Sequence, residues 1–293
     1  MPEYSLGTAA PPRLTFWGVR GTRPVSGADR VRYGGDTACV SLDLPGGDLL
    51  VLDAGTGLTG LAAALGDRPG GRITLLITHP HLDHLLGFPF FDPIYEPGRE
   101  IEICGPTSKG VTMREALAGL MDGVRFPVAL DRLDARLAYR ELAPGRHTLG
   151  GVEVDAIRLQ HPGTCLGYRV TLVGRSCCYI TDNELFPPSA PEHAPTRLDA
   201  LADLVGGTDL LVIDTTHFDE EYAARAGQGH SAVGQVCDLV RRAAPRRVCL
   251  FHHDPDQTDG DIDRKLAVAT ARLREVGSTA ECLAPAQGDI LDL

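Results

Sequence analysis

The alternation of hydrophobic and polar positions divides the chain into short strands and longer helices. Ten short apolar runs rich in β-branched residues are typical of buried strands, and they cover 14–17, 39–44, 49–52, 73–78, 101–104, 152–157, 166–172, 177–181, 210–214 and 248–251. Helical periodicity predicts five helices, at 58–65, 113–121, 198–205, 231–243 and 261–276. The strands come first in groups and then alternate with helices, which predicts an α/β fold of sheets covered by helices. No linker composition interrupts this order, so we expect a single domain over 1–293.

The segment 122–147 is the least regular part of the pattern, because its proline and charged residues follow neither period. Two interpretations remain open for it: a loop or flap over a site, or a surface excursion. Near the end of the sequence, 282–293 has the pattern of a short terminal strand.

The charge balance narrows the classes of partner. The chain has 28 Lys and Arg against 39 Asp and Glu, a formal net charge of −11. A large nucleic-acid footprint usually leaves a basic patch or stripe, so this balance disfavours long polynucleotides. Small phosphorylated substrates stay open, because bound metal ions would dominate the local field.

Cysteine usage and the terminal sequence predict the compartment. The eight cysteines are scattered without a CxxC pair, and several lie inside apolar runs. This usage is typical of small buried residues in a reducing compartment. The N-terminus lacks the basic and apolar regions of a signal peptide, and no apolar run is long enough to span a bilayer. We therefore expect a cytoplasmic protein without a membrane partner.

One segment is dense in side chains that bind metal ions. The apolar strand at 73–78 is followed directly by the sequence HPHLDH, which supplies four potential ligands: His79, His81, Asp83 and His84. Imidazole and carboxylate groups are ligands that a borderline cation such as zinc accepts, and here they have no core-forming role. We expect a helix to begin near Asp83, so that a loop and a helix start present these side chains to two adjacent metals.

Further candidate ligands follow other predicted strands, each at the point where the strand ends. His161 follows the strand at 152–157, Asp182 follows 177–181 and Asp53 follows 49–52. His252 and His253 both follow 248–251, and each is a candidate. Ligands in α/β folds collect in loops at one edge of the sheets, so the repeated strand-end position favours one shared site.

The order of these residues, from Asp53 through the HxHxDH motif to His161, Asp182 and His252, resembles the complete motif set of the metallo-β-lactamase superfamily. The resemblance covers nearly the whole chain. It implies a four-layer αβ/βα sandwich of two similar halves, with two metal ions in the cleft between the sheets.

The resemblance also implies a role for each ligand. One metal ion would be held by His79, His81 and His161. The second would be held by Asp83, His84 and His252, with Asp182 bridging both. His252 is preferred to His253, because the ligand in similar sequences is the first His after the strand. Asp53 would orient a ligand, and the implied ions are two divalent metals, zinc or alternatively manganese.

A second motif narrows the resemblance to one branch. Gly229-His230-Ser231 places its histidine 22 residues before His252. It is similar to the GHS segment of ribonuclease Z-like phosphodiesterases, and the HxHLDHLxG form of the first motif resembles class II cyclic-nucleotide phosphodiesterases. The alternative interpretation is a plain helix start with Ser231 as its N-cap.

The chain departs from true ribonuclease Z in one respect. That enzyme carries a long Gly/Pro-rich arm for gripping tRNA, between the motifs that match His161 and Asp182. Only 20 residues separate those positions here, so no such arm fits. Together with the acidic balance, this disfavours tRNA and favours a small-molecule partner. Association into a homo-oligomer stays open.

The implied chemistry is hydrolysis of a small phosphodiester, such as a cyclic nucleotide, by a hydroxide held between two metals. Asp83 would accept a proton, and His230 would donate a hydrogen bond or proton to the phosphoryl oxygen or leaving group. Arg20 and Arg23 are interpreted either as phosphate-neutralising groups or as a solvated surface pair.

Three alternative functions fit the sequence less well. Hydrolysis of a carboxylic ester, lactone or thioester would use the same metals, but it gives His230 no necessary role. Di-iron redox chemistry of the flavodiiron kind is disfavoured, because that pattern has Glu where this chain has His81. A non-catalytic binding protein conflicts with every ligand position being filled.

Overall fold

The computed structural model describes residues 12–66 and 71–293. Residues 1–11, on which the expectation about a signal peptide rests, lie outside the described residues. The strands are β1 (Arg13–Gly18), β2 (Cys39–Asp43), β3 (Leu49–Leu52), β4 (Ile73–Leu76), β5 (Glu100–Gly105), β6 (Arg136–Glu141), β7 (Gly145–Leu149), β8 (Val152–Arg158), β9 (Leu166–Leu172), β10 (Arg175–Ile180), β11 (Leu210–Asp214), β12 (Arg247–Phe251), β13 (Glu281–Leu283) and β14 (Ile290–Asp292). The helices are α1 (Leu58–Leu65), α2 (Met113–Leu120), α3 (Pro195–Val205), α4 (Asp219–Arg225), α5 (Val233–Ala243) and α6 (Asp259–Glu275).

The strands form two seven-stranded sheets. The first has the order β14-β1-β2-β3-β4-β5-β6, and the second has the order β13-β12-β11-β10-β9-β8-β7. Strands β3 to β6 are parallel neighbours in the first sheet, and β10 to β13 are parallel neighbours in the second. Parallel neighbours end at the same edge of their sheet, so the residues that follow them are brought together.

Three clusters of buried apolar side chains define four layers. One cluster lies between the sheets, where the rings of Phe16 in β1 and Phe251 in β12 are 6.2 Å apart. A second packs the first sheet against α1 and α2. A third packs the second sheet against α3, α5 and α6. Because each sheet is apolar on both faces, it is covered on both, and the expected αβ/βα sandwich is confirmed.

All ten predicted strands and all five predicted helices are confirmed, with ends that differ by a few residues. The prediction that 122–147 is irregular was wrong for the second half of the segment, which forms β6 and the start of β7. Strand β6 lies at the edge of its sheet and alternates half-buried with exposed charged residues, so its apolar signal is weak. The expected terminal strand is instead two strands, β13 and β14, one in each sheet. Helix α4 was not predicted, because none of its residues is buried.

The cysteines and the helices agree with the coarse expectations about the chain. All eight cysteines are unpaired, and all except Cys282 are buried, as expected for small core residues. Within 12–66 and 71–293, no helix combines the length and the apolar character needed to cross a bilayer.

Candidate metal centre

The candidate ligands come from four turns at one edge of the two sheets. His79, His81, Asp83 and His84 follow β4, His161 follows β8, Asp182 follows β10, and His252 follows β12. Strand β9 ties the end of β4 to the second sheet. The Tyr168 hydroxyl donates to the Ile77 carbonyl at 2.7 Å, and the Leu166 amide donates to the Thr78 carbonyl at 3.0 Å. These contacts bring the ends of both parallel groups to one cleft.

The first ligand group consists of His79, His81, His161 and Asp182. The Nε2 atoms of His79 and His161 lie 2.9 Å and 3.1 Å from His81 Nδ1. Asp182 Oδ2 lies 3.5 Å from His79 Nε2 and 3.7 Å from His161 Nε2. Ligands bound tetrahedrally at about 2.0–2.1 Å stand roughly 3.3 Å from one another, so these four atoms can share one cation.

The second ligand group consists of Asp83, His84, His252 and the same Asp182. Asp83 Oδ2 lies 3.3 Å from the Nε2 atoms of both His84 and His252. Asp182 Oδ1 lies 3.1 Å from His84 Nε2 and 3.0 Å from His252 Nε2. All four side chains are buried, so this group is also compact enough to hold one cation.

Asp182 belongs to both groups through different oxygen atoms. Its Oδ2 atom faces the first group and its Oδ1 atom faces the second, where Oδ1 also accepts a hydrogen bond from the Thr181 hydroxyl at 2.8 Å. The backbone of Asp182 has a φ of 50°, a left-handed conformation that turns the side chain out of the strand direction. The carboxylate therefore has the position of a bridge between two ions.

The electrostatics of the cleft favour bound cations. Burial alone would lower the pKa of His84, but the carboxylates of Asp83, Asp182 and Asp53 raise it well above its ordinary value. Burial alone would raise the pKa of Asp182, but His252, His84 and His79 lower it well below its ordinary value. His84 Nε2 is buried and makes no hydrogen bond to a described residue. The donor set and its field therefore fit divalent metal ions.

Asp53 holds His84 from the side opposite to the ligand groups. It is fully buried at the end of β3, and its Oδ2 atom accepts a hydrogen bond from His84 Nδ1 at 2.7 Å. The Thr78 amide and hydroxyl donate to Oδ1 at 2.7 Å and 3.0 Å, and the Tyr179 hydroxyl donates to Oδ2 at 3.1 Å. With Nδ1 donating to Asp53, the Nε2 lone pair of His84 is free to bind a metal.

A turn after β1 closes the second ligand group. The Thr22 amide donates to Asp83 Oδ2 at 2.7 Å, and Thr22 has a left-handed φ of 63°. The residue before it, Gly21, lies against His252: a Cβ atom there would stand 2.2 Å from the imidazole ring. Glycine is therefore required at this position for the turn to reach Asp83.

The two histidines after β12 have different surroundings. His252 Nε2 lies within the second ligand group, and the His252 backbone has a left-handed φ of 56°. The His253 ring is buried away from both groups, 6.2 Å from the Tyr33 ring, and neither of its nitrogens has a hydrogen-bond partner among the described residues. The geometry therefore favours His252 as the candidate ligand.

His230 lies between the two ligand groups and is held by an acid that the sequence reasoning missed. Its ring centroid is 5.4 Å from that of His161 and 4.9 Å from that of His252. Asp214 Oδ2 accepts a hydrogen bond from His230 Nδ1 at 2.8 Å. Burial alone would lower the pKa of His230, but the Asp214 carboxylate outweighs it and raises the pKa to about 9. Asp214 is the last residue of β11. The position at a strand end, which indicated Asp53 and Asp182, could therefore have indicated Asp214 as well.

The alternative interpretation of Ser231 and the expected helix near Asp83 were both wrong. The N-cap of α5 is Ala232, so Ser231 is not a helix cap. Ser231 is buried, and its hydroxyl donates to the Asn183 carbonyl and accepts from the Leu185 amide. The helix expected near Asp83 is a single 3-10 turn, Leu82–His84, which is long enough to point Asp83 and His84 into the cleft.

Arg20 was misread in both interpretations. Its side chain is fully buried, and its guanidinium donates to the carbonyls of Gly34 and Gln257, so it neither reaches a substrate nor lies on the surface. Arg23 is exposed and pairs with Asp256 at 2.7 Å, which fits the solvated surface pair. The glycine-rich turn between them contributes the Thr22 amide to the site, and neither arginine contributes its side chain.

The comparison with known families identifies the chain. The family model described as "Beta-lactamase superfamily domain" matches residues 49–253, the span that runs from the first residue of β3 to His253. The chain belongs to the beta-lactamase superfamily. The superfamily fold carries a dinuclear divalent metal site, and its sandwich and two His/Asp groups are those described above.

Sequence relatives and solved structures show which proteins the chain is similar to. A ribonuclease Z of Gemmatimonas aurantiaca is 26% identical over 254 residues, covering 70% of this chain and 76% of that protein. A diphosphatase of the PhnP family superposes with a TM-score of 0.67 at 17% identity, covering 96% of this chain and 98% of the other. The short form of human tRNase Z superposes with a TM-score of 0.64 at 20% identity, covering 96% and 98%. The chain is therefore a metal-dependent hydrolase of the metallo-β-lactamase fold, and its sequence is similar to ribonuclease Z.

Proposed function

We propose that this hydrolase cleaves a phosphodiester in a small molecule, such as a cyclic nucleotide. The observation that carries the proposal is the His230–Asp214 pair, which stands 2.8 Å apart beside both ligand groups. A thioester releases a thiolate, which leaves without a proton donor, and the two metal ions alone can activate the carbonyl of an ester or lactone. A phosphodiester leaves an alkoxide, and a positioned proton donor accelerates its departure.

The metal ligands are proposed residue by residue. His79, His81 and His161 would hold one divalent ion, Asp83, His84 and His252 would hold the second, and Asp182 would join them. Zinc suits these imidazole and carboxylate donors, and manganese is the alternative. When bound, two such ions supply Lewis-acid activation of water and of a phosphoryl oxygen.

Asp83 is proposed as the proton acceptor. Its Oδ2 atom is engaged by the Thr22 amide and faces His84 and His252. Among the described residues, none donates a hydrogen bond to the Oδ1 atom of Asp83. That oxygen is therefore available to accept a proton from the attacking water. The Thr22 amide fixes the carboxylate, so the proton acceptor does not have to reorient during the reaction.

His230 is proposed as the donor to the phosphoryl oxygen or leaving group. Because Nδ1 donates to Asp214, the other ring nitrogen, Nε2, is the one available to a substrate. The ring stacks on His252 with an interplanar angle of 20°, which fixes its orientation. Asp214 is fully buried, so its charge acts on His230 with little screening by water.

A small substrate is supported by the space around the site. A cavity of about 550 Å³ adjoins His161 and Gly229, and Arg158 and Arg197 are among the residues that line it. Cavities of this size hold small ligands, and arginine suits phosphate. Between His161 and Asp182 the chain forms only the hairpin of β9 and β10, which supports the proposal that tRNA is not the substrate.

The substrate class is tested with purified protein loaded with Zn²⁺ or Mn²⁺. Hydrolysis of bis-p-nitrophenyl phosphate is compared with that of a p-nitrophenyl carboxylic ester, a lactone and a thioester. We expect phosphodiester hydrolysis, followed by a preference within a panel of cyclic nucleotides and dinucleotides. Ready cleavage of lactones or thioesters with none of phosphodiesters would refute the substrate class and leave the fold and metal site intact.

His230→Ala tests the assignment that carries the proposal. On a phosphodiester with an alkyl leaving group, the variant should lower kcat by roughly 10²–10⁴-fold, the usual contribution of general acid–base catalysis, with unchanged metal content. Loss of metal would make His230 a ligand. Retained phosphodiesterase activity would remove the reason for preferring a phosphodiester.

The remaining proposals concern the chain as a whole. We propose that it is one domain, because the apolar cluster between the sheets joins residues from both halves. We propose the cytoplasm as its location, because its eight cysteines are all unpaired.

A further inference from the structure

The loop between α4 and α5 carries His230, and its own backbone does little to fix it. Gly227 and Gly229 have left-handed φ values of 86° and 94°. A Cβ atom on Gly229 would stand 2.3 Å from His161 Nδ1, so this close approach requires glycine. A chain segment with two such glycines has many alternative conformations. Hydrogen bonds of Ser231 hold the end of the loop next to α5, and a separate contact is needed at Gly227 and Gly229.

That contact is a buried carboxylate, Glu184, two residues beyond Asp182. Its side chain is 1% exposed. Oε1 accepts hydrogen bonds from the Gly227 amide and the Tyr222 hydroxyl, and Oε2 accepts one from the Gly229 amide, each at 2.8 Å. Both oxygens act only as acceptors, which is the pattern of an ionised carboxylate. Hydrogen bonds from amides to a charged acceptor are among the stronger ones in proteins.

The selected loop conformation fixes two side chains of the site. The Gly229 carbonyl accepts a hydrogen bond from His161 Nδ1 at 3.1 Å, which leaves His161 Nε2 directed at the first ligand group. The next residue is His230, whose Nδ1 atom donates to Asp214. The backbone amide of Gly229 thus binds Glu184 while the carbonyl of the same residue orients His161. Both hydrogen bonds form together in the observed conformation of the loop.

We propose that Glu184 is a positioning residue that fixes the 227–230 loop, and through it His161 and His230, for catalysis. The proposal rests on the proposed function, in which His230 acts on the leaving group. A misplacement of about 1 Å at a catalytic group can lower a rate by roughly 100-fold. Glu184 contacts neither ligand group in the structure, so its effect should appear in turnover more than in substrate binding.

Glu184→Gln is the central variant. Glutamine keeps the shape of the side chain but has only one acceptor oxygen. Its NH₂ group therefore lies opposite the backbone N–H of Gly227 or of Gly229, and two donors cannot form a hydrogen bond. We expect kcat to fall by about 10- to 100-fold with KM changed less than about threefold. The loss should be larger for a phosphodiester with an alkyl leaving group than for bis-p-nitrophenyl phosphate, because p-nitrophenolate needs little help from a proton donor.

Tyr222→Phe is the matched control. It removes one of the three hydrogen bonds to Glu184 and leaves both loop amides bound. Its kcat should stay within about threefold of that of wild-type protein. An equal loss of kcat in Tyr222→Phe and Glu184→Gln would mean that Glu184 serves general stability, which overturns the positioning role.

A double variant separates positioning from an independent effect. If Glu184 acts through His230, then Glu184→Gln combined with His230→Ala should be no slower than His230→Ala alone on the alkyl substrate. Multiplied losses in the double variant, with unchanged imidazole signals of His161, would show that Glu184 acts through neither histidine.

Imidazole nitrogen spectra of the metal-loaded, ¹⁵N-histidine-labelled protein give a readout that needs no substrate. We expect Glu184→Gln to shift or broaden the signals of His161 and His230 and to leave those of His84 unchanged. Unchanged signals in a folded variant would refute the proposal. If neither Glu184→Gln nor Glu184→Asp folds, the carboxylate is a folding determinant and the positioning role is refuted. If wild-type protein cleaves no phosphodiester, the proposed function fails, and the spectra still decide on Glu184.

Discussion

Asp53 provides the sharpest test of how the second ligand group is built. Its carboxylate accepts hydrogen bonds from the Thr78 amide and hydroxyl, the Tyr179 hydroxyl and His84 Nδ1. Asn at this position has the same shape, but it offers one acceptor oxygen in place of two. If the amide NH₂ faces His84, the imidazole must move its proton to Nε2 and can no longer bind a metal through that atom. If the amide is turned over, its NH₂ faces the Thr78 amide, donor to donor.

The expected magnitude follows from this conflict. Losing the partner that orients a metal-binding histidine typically lowers metal affinity by 10- to 100-fold, which corresponds to about 1.4–2.8 kcal/mol. Asp53→Asn should therefore weaken the second metal ion by about that factor. Asp53 has no direct hydrogen bond to the first ligand group, so the affinity of that group should change less, and metal titration should show the second site weakened relative to the first.

The assay is a competition titration of metal-free protein against a chromophoric chelator. Tyr179→Phe is the control, because it removes one donor to Asp53 and leaves the bond to His84 in place. It should change the affinity by less than about threefold. Two unchanged affinities in folded Asp53→Asn, checked by circular dichroism, would refute the claim that Asp53 orients His84. Equal weakening in both variants would assign the effect to packing.

Three further predictions concern the ligands and one buried charge. Asp182→Ala should lose both metal ions together with activity, because its two oxygens face different ligand groups; elemental analysis showing one ion retained would contradict the bridge. His252→Ala should reduce metal occupancy and His253→Ala should leave it nearly intact, and the reverse result would move the ligand by one residue. Burial lowers the pKa of Lys265 from 10.5 to about 7. Between pH 7 and 10.5 the unfolded chain therefore holds a proton that the folded chain has lost. The contribution of Lys265 to the free energy of unfolding should rise with pH in this range, by up to about 1.4 kcal/mol per pH unit. Because His230, with its pKa raised to about 9, contributes the opposite slope, urea unfolding at pH 7.5 and 9 is compared between wild-type protein and Lys265→Met. The unfolding free energy of wild type relative to the variant should rise with pH, and an unchanged difference would contradict the prediction.

The strands and the ligand positions could be predicted because they depend on local signals. Buried strands on both faces of a layered fold are nearly continuous apolar runs, and polar residues directly after them stand out. His161, Asp182 and His252 were found in this way, although they lie far apart in sequence. The sequence does not predict which oxygen of Asp182 faces each ligand group, because the orientation of the side chain depends on the turn after β10.

The misread residues depend on contacts between distant segments. Arg20 lies in a glycine-rich stretch that reads as an exposed phosphate loop, yet its guanidinium is buried against the carbonyls of Asp254 and Gln257. Glu184 and Asp214 were passed over for the opposite reason. Each looks like an ordinary residue at a strand end, and only the approach of the 227–230 loop gives Glu184 its two amides and Asp214 its histidine.

The backbone conformations of the site connect its function to the stability of the fold. Asp53, Asp182 and His252 each occupy left-handed conformations, with φ between 50° and 61°. Such a conformation costs a non-glycine residue on the order of 1 kcal/mol or more, so the three together cost about 3 kcal/mol of the 5–15 kcal/mol that typically stabilises a domain. Asn or Gly would adopt the same backbone with less strain, but neither provides a carboxylate or an imidazole. A metal ion that binds only the folded chain offsets this cost by mass action, so the strain at the candidate ligands Asp182 and His252 is compensated when an ion is bound.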